Sequence, residues 1–280
     1  MLTPIQTAGK KPPLFFIHGT NGIMPIGAAF GRILGTDQPL YVINANGFDG
    51  RPRHASVDEM AHNYVADIVG VAPSGPLIIG GMCMGTLVTI EVARELLARG
   101  RTLGPVILTD PPRVPFGNTG VIKERRMATA SGAGSVDPLE PQVARQLYEY
   151  ARDVMITHAS IPYNDMPFDV DDPEQLDRAA LTGVATIVAL SRFVPKPFLG
   201  TVELILNANA APAFFGSDLP WQRMLPNPRV AHALPWGHLE LFRARRFEVA
   251  RLIKFILEGA LPDESDETMS SENVFEESVA

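Results

Sequence analysis

"LIIGGMCMGTLVTIEVA", residues 77–93, decides how this chain is read. It opens as a short, unbroken apolar run, the pattern of a strand covered on both faces. From Gly85 onward the apolar positions recur with helical period. Between the two lies Gly81-Met82-Cys83-Met84-Gly85, a turn with Cys83 at its tip and a glycine two residues to either side. Cys83 is the only cysteine in 280 residues. The single thiol thus stands where a strand breaks abruptly into a helix.

A strand, a small-x-nucleophile-x-small turn and a helix make the nucleophile elbow of α/β-hydrolases, here with cysteine in place of the usual serine. So sharp a turn strains the nucleophile's backbone, and side chains two residues away must be tiny; Gly81 and Gly85 meet that demand. The helix aims its free amides and positive dipole end at the sulfur, which favours a thiolate. The amide of Met84 is then a natural oxyanion-hole donor. A free cysteine is more often a small buried hydrophobe, but this position between two glycines argues for chemistry.

A nucleophile needs a base, and the base an orienting acid; in this fold the chain order is nucleophile, acid, histidine. Of six histidines, only His232 and His238 come late enough. His232 sits inside a strand pattern. His238, in "LPWGHLELF", lies in a Gly-His loop between the last strand and the last helix, where the base belongs. The usual place for the acid is the end of the strand "VELILNANAAP", which offers only Asn207 and Asn209, with Asp218 beyond a loop. Asp110 directly ends the strand "VILTD", at the carboxyl edge where site residues gather in such sheets. It is the preferred acid, with Asp218 the alternative. The second oxyanion donor belongs in the loop after the first strand, "IHGTNG", where the amide of Thr20 fits by position; His18 more plausibly shapes that backbone than takes part in chemistry.

Around this centre, short apolar runs alternate with helical patterns, which predicts parallel strands joined by helices. Strands are expected at "LFFIHG" (14–19), "LYVINA" (40–45), "PLIIGG", "GPVILTD", "TVELILNAN" (201–209) and "RVAHAL". Helices are expected at "SVDEMAHNYVADIVGVA", with Ser56 and Glu59 as a capping box, at "GTLVTIEVARELLARG", and at the closing "HLELFRARRFEVARLIKFILEG". Between Pro111 and about Gly200 the alternation breaks, leaving a Gly/Ser/Thr-rich patch and two helical patterns near 139–158 and 173–193. The reading is an α/β-hydrolase fold over 1–261: a mostly parallel central sheet, helices on both faces, and a helical lid insertion at about 111–200.

The net charge of −7 is uneven. Residues 262–280 hold seven acidic side chains and no Lys or Arg, which leaves the body balanced at 24 of each sign. A neutral body with no basic stripe argues against nucleic acid as the partner. The acidic tail 262–280 reads as disordered, either as a solvating segment or as a docking one using Met269, Val274 and Phe275. A single cysteine excludes an internal disulfide and fits a reducing compartment. No signal-like segment and no run of membrane-spanning length is evident, so a cytoplasmic location is expected. No cofactor or metal site is expected.

"LFFIHGTNG", "QPLYVINANGFDG" with "SVDEMAHNYVADI", "SGPLIIGGMCMGTLVTIEVARELLARG", "VILTDPP" and "LPWGHLELF" together resemble the thioesterase domains of nonribosomal peptide and polyketide synthases. The likeness covers about residues 12–259, and the acid after "VILT" is its most specific point. It implies a triad of Cys83, Asp110 and His238, and a lid at 111–200 over the acyl chain. It also implies a substrate tethered as a thioester to the phosphopantetheine of an acyl- or peptidyl-carrier protein. Most members use serine, so the cysteine is the departure.

An acyl group on serine is an oxoester, downhill from the carrier thioester. On Cys83 it stays a thioester, close in energy to the bond it left and open to an amine, an internal nucleophile or another thiol. That favours transfer or cyclisation over hydrolysis, with carrier-to-carrier aminoacyl transfer and editing hydrolysis as alternatives. A dienelactone-type small-molecule hydrolase and a catalytically silent binding module are weaker readings. The arginines Arg113, Arg243, Arg245, Arg246 and the run 123–126 are candidates for docking an acidic carrier.

Overall fold

A computed structural model of the chain describes residues 1–112, 141–162, 164–207, 224, 225 and 228–259. Seven strands, β1 (Leu2–Gln6), β2 (Leu14–Ile17), β3 (Leu40–Ile43), β4 (Leu77–Met82), β5 (Leu103–Thr109), β6 (Val202–Asn207) and β7 (Pro228–Leu234), form one sheet in the order β1-β3-β2-β4-β5-β6-β7. Only β1 runs antiparallel to its neighbour, β3; all other pairings are parallel. β4, which Cys83 follows directly, lies in the middle with β2 and β5 on either side.

The described helices are α1 (Ala28–Leu34), α2 (Val57–Val71), α3 (Gly85–Ala98), α4 (Pro141–Ala159), α5 (Pro173–Arg192), α6 (His238–Phe242) and α7 (Arg246–Glu258). Alternate residues of the central strands serve opposite faces, as the two-residue pleat requires. Ile79 and Leu108 join Tyr64, Leu87 and Ile90 of α2 and α3 in one core. Ile78 and Ile107 join Phe30 of α1 and Val249 and Ile253 of α7 in the other. The sheet is therefore covered on both faces, which is why its strands read as unbroken apolar runs. α4 and α5 are the described part of the insertion between β5 and β6, and they pack against each other through Leu147 and Ile187. No described helix is long and apolar enough to cross a membrane.

Three elements depart from the sequence reading. β1 is absent from it: Pro4 interrupts the apolar pattern, but β1 is an edge strand, where a missing N–H is tolerated. α1 is absent too, because Gly31 lowers its helix propensity; burial of Phe30 and Leu34 overrides that deficit. The closing helix is two helices. The Glu240 carbonyl accepts from the amides of both Arg243 and Arg245, at 3.2 and 2.8 Å, which ends α6 with no Gly or Pro to announce it. In the Ser56 cap, Ser56 Oγ accepts from the Glu59 amide as expected, while the Glu59 carboxylate reaches the amide of Ala55, one residue further than a capping box requires. The tail 262–280, Arg113, the run 123–126, Asn209 and Asp218 lie outside the described residues.

Candidate active site

Cys83 follows β4 directly and has φ of 53°, in the left-handed region that a side-chain-bearing residue adopts only under constraint. Its amide donates to Thr109 O at 2.9 Å, and its carbonyl accepts from the amide and hydroxyl of Thr86 at 3.2 and 2.7 Å. The flanking glycines are required for a reason the motif does not state. A methyl group on Gly81 would overlap Thr89 Oγ1, and one on Gly85 would overlap the carbonyl oxygen of His18. What they make room for is α3 and the end of β2, rather than Cys83 itself.

Asp110, the residue after β5, is the second side-chain-bearing residue with positive φ, at 47°, among the described residues. Its amide donates to Ile205 O at 2.6 Å. The carboxylate is buried, 2% exposed, and its two oxygens face different partners. Oδ2 accepts from Nδ1 of His238 at 2.5 Å, across 128 residues of sequence. Oδ1 accepts from the amide of Asn207 at 3.2 Å and from its side-chain Nδ2 at 2.7 Å. With Nδ1 given to Asp110, the hydrogen bond between His238 and Cys83 falls to the other ring nitrogen.

The electrostatics of this chain favour a charge-separated pair. Burial opposes a charge on the imidazole, but hydrogen bonds to Asp110 and Cys83 and their negative charges overcome it and raise the pKa of His238 to about 10. Burial likewise pushes the Cys83 thiol up. The hydrogen bond and charge of His238, then hydrogen bonds from Thr20 and the Met84 amide, bring it net below its ordinary value. Both shifts run in the direction that favours a thiolate beside an imidazolium over the neutral pair.

The loop after β2 completes the surroundings. Thr20 approaches the sulfur with its side chain, Oγ1 to Sγ 3.1 Å, a contact the positional argument for its amide did not include. His18 is fully buried. Its Nδ1 meets Gly19 O at 2.8 Å and its Nε2 meets the Tyr64 hydroxyl at 2.7 Å. A carbonyl only accepts, so Nδ1 carries the proton and Tyr64 donates to Nε2. A trans peptide points its N–H opposite to its C=O, so holding Gly19 O turns the Thr20 amide away from His18.

Sequence reasoning brought Cys83, Asp110, His238, Thr20 and Met84 to one place, and the structure assembles them there. It missed Asn207 and the Thr20 hydroxyl. Asn207 was visible only as a strand end that lacked an acid. His232 lies within β7. Two of the arginines after His238 have partners within the fold: Arg245 pairs with Glu248 at 3.0 Å and lies 5.1 Å over the Trp236 ring, and Arg246 donates to the carbonyls of Arg243 and Pro162. Among the described residues no cluster of His, Cys, Asp and Glu is arranged to hold a metal ion.

The family model of the thioesterase domain matches residues 12–129. Atromentin synthetase nps3 of Serpula lacrymans is 32% identical over 115 residues, 40% of this chain and 12% of that synthetase. The chain therefore spans only about an eighth of the length of such relatives. Among solved structures, the NocB thioesterase domain of the nocardicin cluster superposes with a TM-score of 0.63 at 19% identity, over 92% of this chain and 99% of that one. The Vlm2 thioesterase domain bound with a dodecadepsipeptide gives 0.65 at 19%, over 93% and 98%. At such identities the structural likeness is one of fold. The stretch that builds the elbow and carries Asp110, residues 12–129, is thus similar to the thioesterase-domain family, and the chain shares the α/β-hydrolase fold of those solved domains up to the last described helix.

Proposed function

We propose that the protein takes an acyl or peptidyl group from the phosphopantetheine thiol of a carrier protein onto Cys83, and passes it to an acceptor in nonribosomal peptide or polyketide biosynthesis. The observation that carries this reading is the hydrogen-bonded series from Asp110 through His238 to Cys83, with Asp110 Oδ2 and His238 Nδ1 at 2.5 Å. Cys83 is the nucleophile, His238 the acid and base, and Asp110 the carboxylate that fixes the ring and its charge. The amides of Thr20 and Met84 are the oxyanion donors. The matched thioesterase-domain model supports the reaction class, and the likeness to atromentin synthetase and to a four-domain nonribosomal peptide synthetase supports a partner of the carrier kind.

The Cys83 thiolate adds to the thioester carbonyl, and the negative charge moves to the oxygen between the two amides. Collapse expels the carrier thiolate, which takes the proton of the His238 imidazolium and leaves as thiol. His238, now neutral, accepts the proton of the incoming amine, hydroxyl, thiol or water as that acceptor attacks the Cys83 thioester. The second collapse restores thiolate and imidazolium. No cofactor enters these steps; phosphopantetheine belongs to the substrate. The insertion between β5 and β6, with α4 and α5, is the lid over the acyl chain in this reading, and the tail 262–280 is a second candidate for carrier contact.

Because the intermediate is itself a thioester, the reading favours transfer or cyclisation over release as free acid. Editing hydrolysis is the alternative, as in stand-alone type II thioesterases, and the BorB enzyme of that class shares the fold with a TM-score of 0.59. The test is intact-protein mass spectrometry with acyl-loaded carrier, native against Cys83→Ser, scoring transferred against hydrolysed product at matched loading. Transfer is expected to fall and free acid to rise in the serine variant. An unchanged ratio would remove the argument from sulfur, and loading of Cys83→Ala would remove the nucleophile.

A further inference from the structure

The usual place for the acid is the end of the strand "VELILNANAAP", which is β6; this chain has Asn207 there. Asn207 closes β6, the strand beside β5, and the pairing of Thr109 with Ile205 brings the two strand ends level. Asp110 then turns into the left-handed region and lays its carboxylate across the end of β6. The residue that stands where an acid was looked for faces the acid that is used.

We infer that Asn207 is the positioning residue of the catalytic carboxylate: its backbone amide and its side-chain Nδ2 both hold Asp110 Oδ1, which turns Oδ2 toward His238. The distances are 3.2 and 2.7 Å on one oxygen and 2.5 Å on the other. A carboxylate rotates about its terminal bond in a broad, two-fold well, so a single partner does not fix its plane. Here one oxygen is clamped by two donors from a strand and the other is aimed at the imidazole. Asp110 is 2% exposed and Asn207 8%, so bulk water is a poor substitute for the amide if it is removed. Asparagine suits this place better than an acid because it donates. An aspartate at 207 would set a second negative charge against Asp110 and turn a donor into an acceptor. The role of Asn207 is to keep Asp110 in the plane that orients His238, and through His238 to keep the sulfur ionised.

This inference rests on the triad reading, and the experiment separates the two. The probe is iodoacetamide, which reports the thiolate of Cys83 without any carrier or acyl substrate. Its rate is followed from pH 5 to 10 by intact mass. Four proteins form a cycle: native, Asn207→Leu, Asp110→Asn, and the double variant. Asn207→Leu keeps the shape and loses the donor, and Asn207→Ala repeats the test without added bulk if leucine disturbs folding. In the native background the loss of Nδ2 is expected to slow alkylation near neutral pH about tenfold and to move the profile to higher pH, as loss of a hydrogen bond to a charged group does. In the Asp110→Asn background the same substitution is expected to change neither. A similar slowing in both backgrounds means that Asn207 acts on structure alone, and no slowing in the native background means that it does not position the carboxylate; either result overturns the inference. If Asp110→Asn itself leaves the profile unmoved, the triad reading fails first.

Discussion

Thr20 Oγ1 and Cys83 Sγ lie 3.1 Å apart, although 63 residues separate them in sequence. A thiolate only accepts, so toward an ionised Cys83 the hydroxyl is the donor. A Thr20→Val substitution removes the hydroxyl, leaves the amide and conserves volume. The thiol pKa, read from iodoacetamide kinetics, is expected to rise by about one unit, because a hydrogen bond to a charged group is worth about 1.5–3 kcal/mol and a unit is about 1.4. Thr20→Ser should restore it. An unshifted valine variant would mean that the hydroxyl points elsewhere in solution.

The coupled shifts of Cys83 and His238 set a pH window for activity. The thiol sits below its ordinary 9.0, so thiolate forms at lower pH than in free cysteine and reactivity should rise through a midpoint under that value. His238 holds its proton up to about 10, and above that it no longer protonates the departing thiol. Turnover of a carrier-bound acyl group is thus expected to be flat between these limits and to fall on either side. In Asp110→Asn the alkaline limb should move toward 6.5, the ordinary histidine value. An alkaline limb that stays in place would show that Asp110 does not support the imidazolium.

Gly85 is the elbow residue least able to change. A Cβ there meets the backbone carbonyl of His18, which cannot swing aside as a side chain would. Gly85→Ala should lower stability by about 3 kcal/mol, at the upper end of overpacking costs, and reduce loading of Cys83 by displacing the β2 loop. At Gly81 the obstacle is the side-chain hydroxyl of Thr89, so Gly81→Ala should be rescued in part by Thr89→Ala. Chemical denaturation of the four variants checks both points, and equal costs for Gly85→Ala and the rescued Gly81→Ala would contradict the distinction.

Buried histidines make the fold acid-sensitive. Burial lowers the pKa of His18 to about 3 and that of His54 to about 4, against 6.5 in the unfolded chain. Between pH 6.5 and 4 the unfolded state therefore binds more protons, and stability falls as pH falls through that window. His54 is 3% exposed, neither of its ring nitrogens has a partner among the described residues, and its ring stands edge-on to Tyr64 with centroids 5.3 Å apart. His54→Phe keeps a ring against Tyr64 and cannot titrate, so its urea midpoint should fall less between pH 7 and 4.5 than that of the native protein. Parallel falls would exclude His54 as a source of the acid sensitivity.

What the sequence by itself determined is local or ordered along the chain. The apolar run, the two glycines and the helical period specify the strand, turn and helix around Cys83. The order cysteine, aspartate, histidine with strand-end positions specifies which groups can meet. These follow from short-range sterics and from the carboxyl edge of a parallel sheet, both of which are periodic and legible. β1, α1 and the break before Arg246 were not legible, because packing at an edge, burial of Phe30 and the doubly used Glu240 carbonyl override weak local signals. Only the tertiary structure decided the partners of the chemical groups. Asn207 is 97 residues from Asp110 and Thr20 is 63 from Cys83, and each pair meets because of strand order. Strand order sets adjacency by hydrogen-bonded pairing across the sheet, and nothing in the spacing of residues along one strand records which strand will lie beside it.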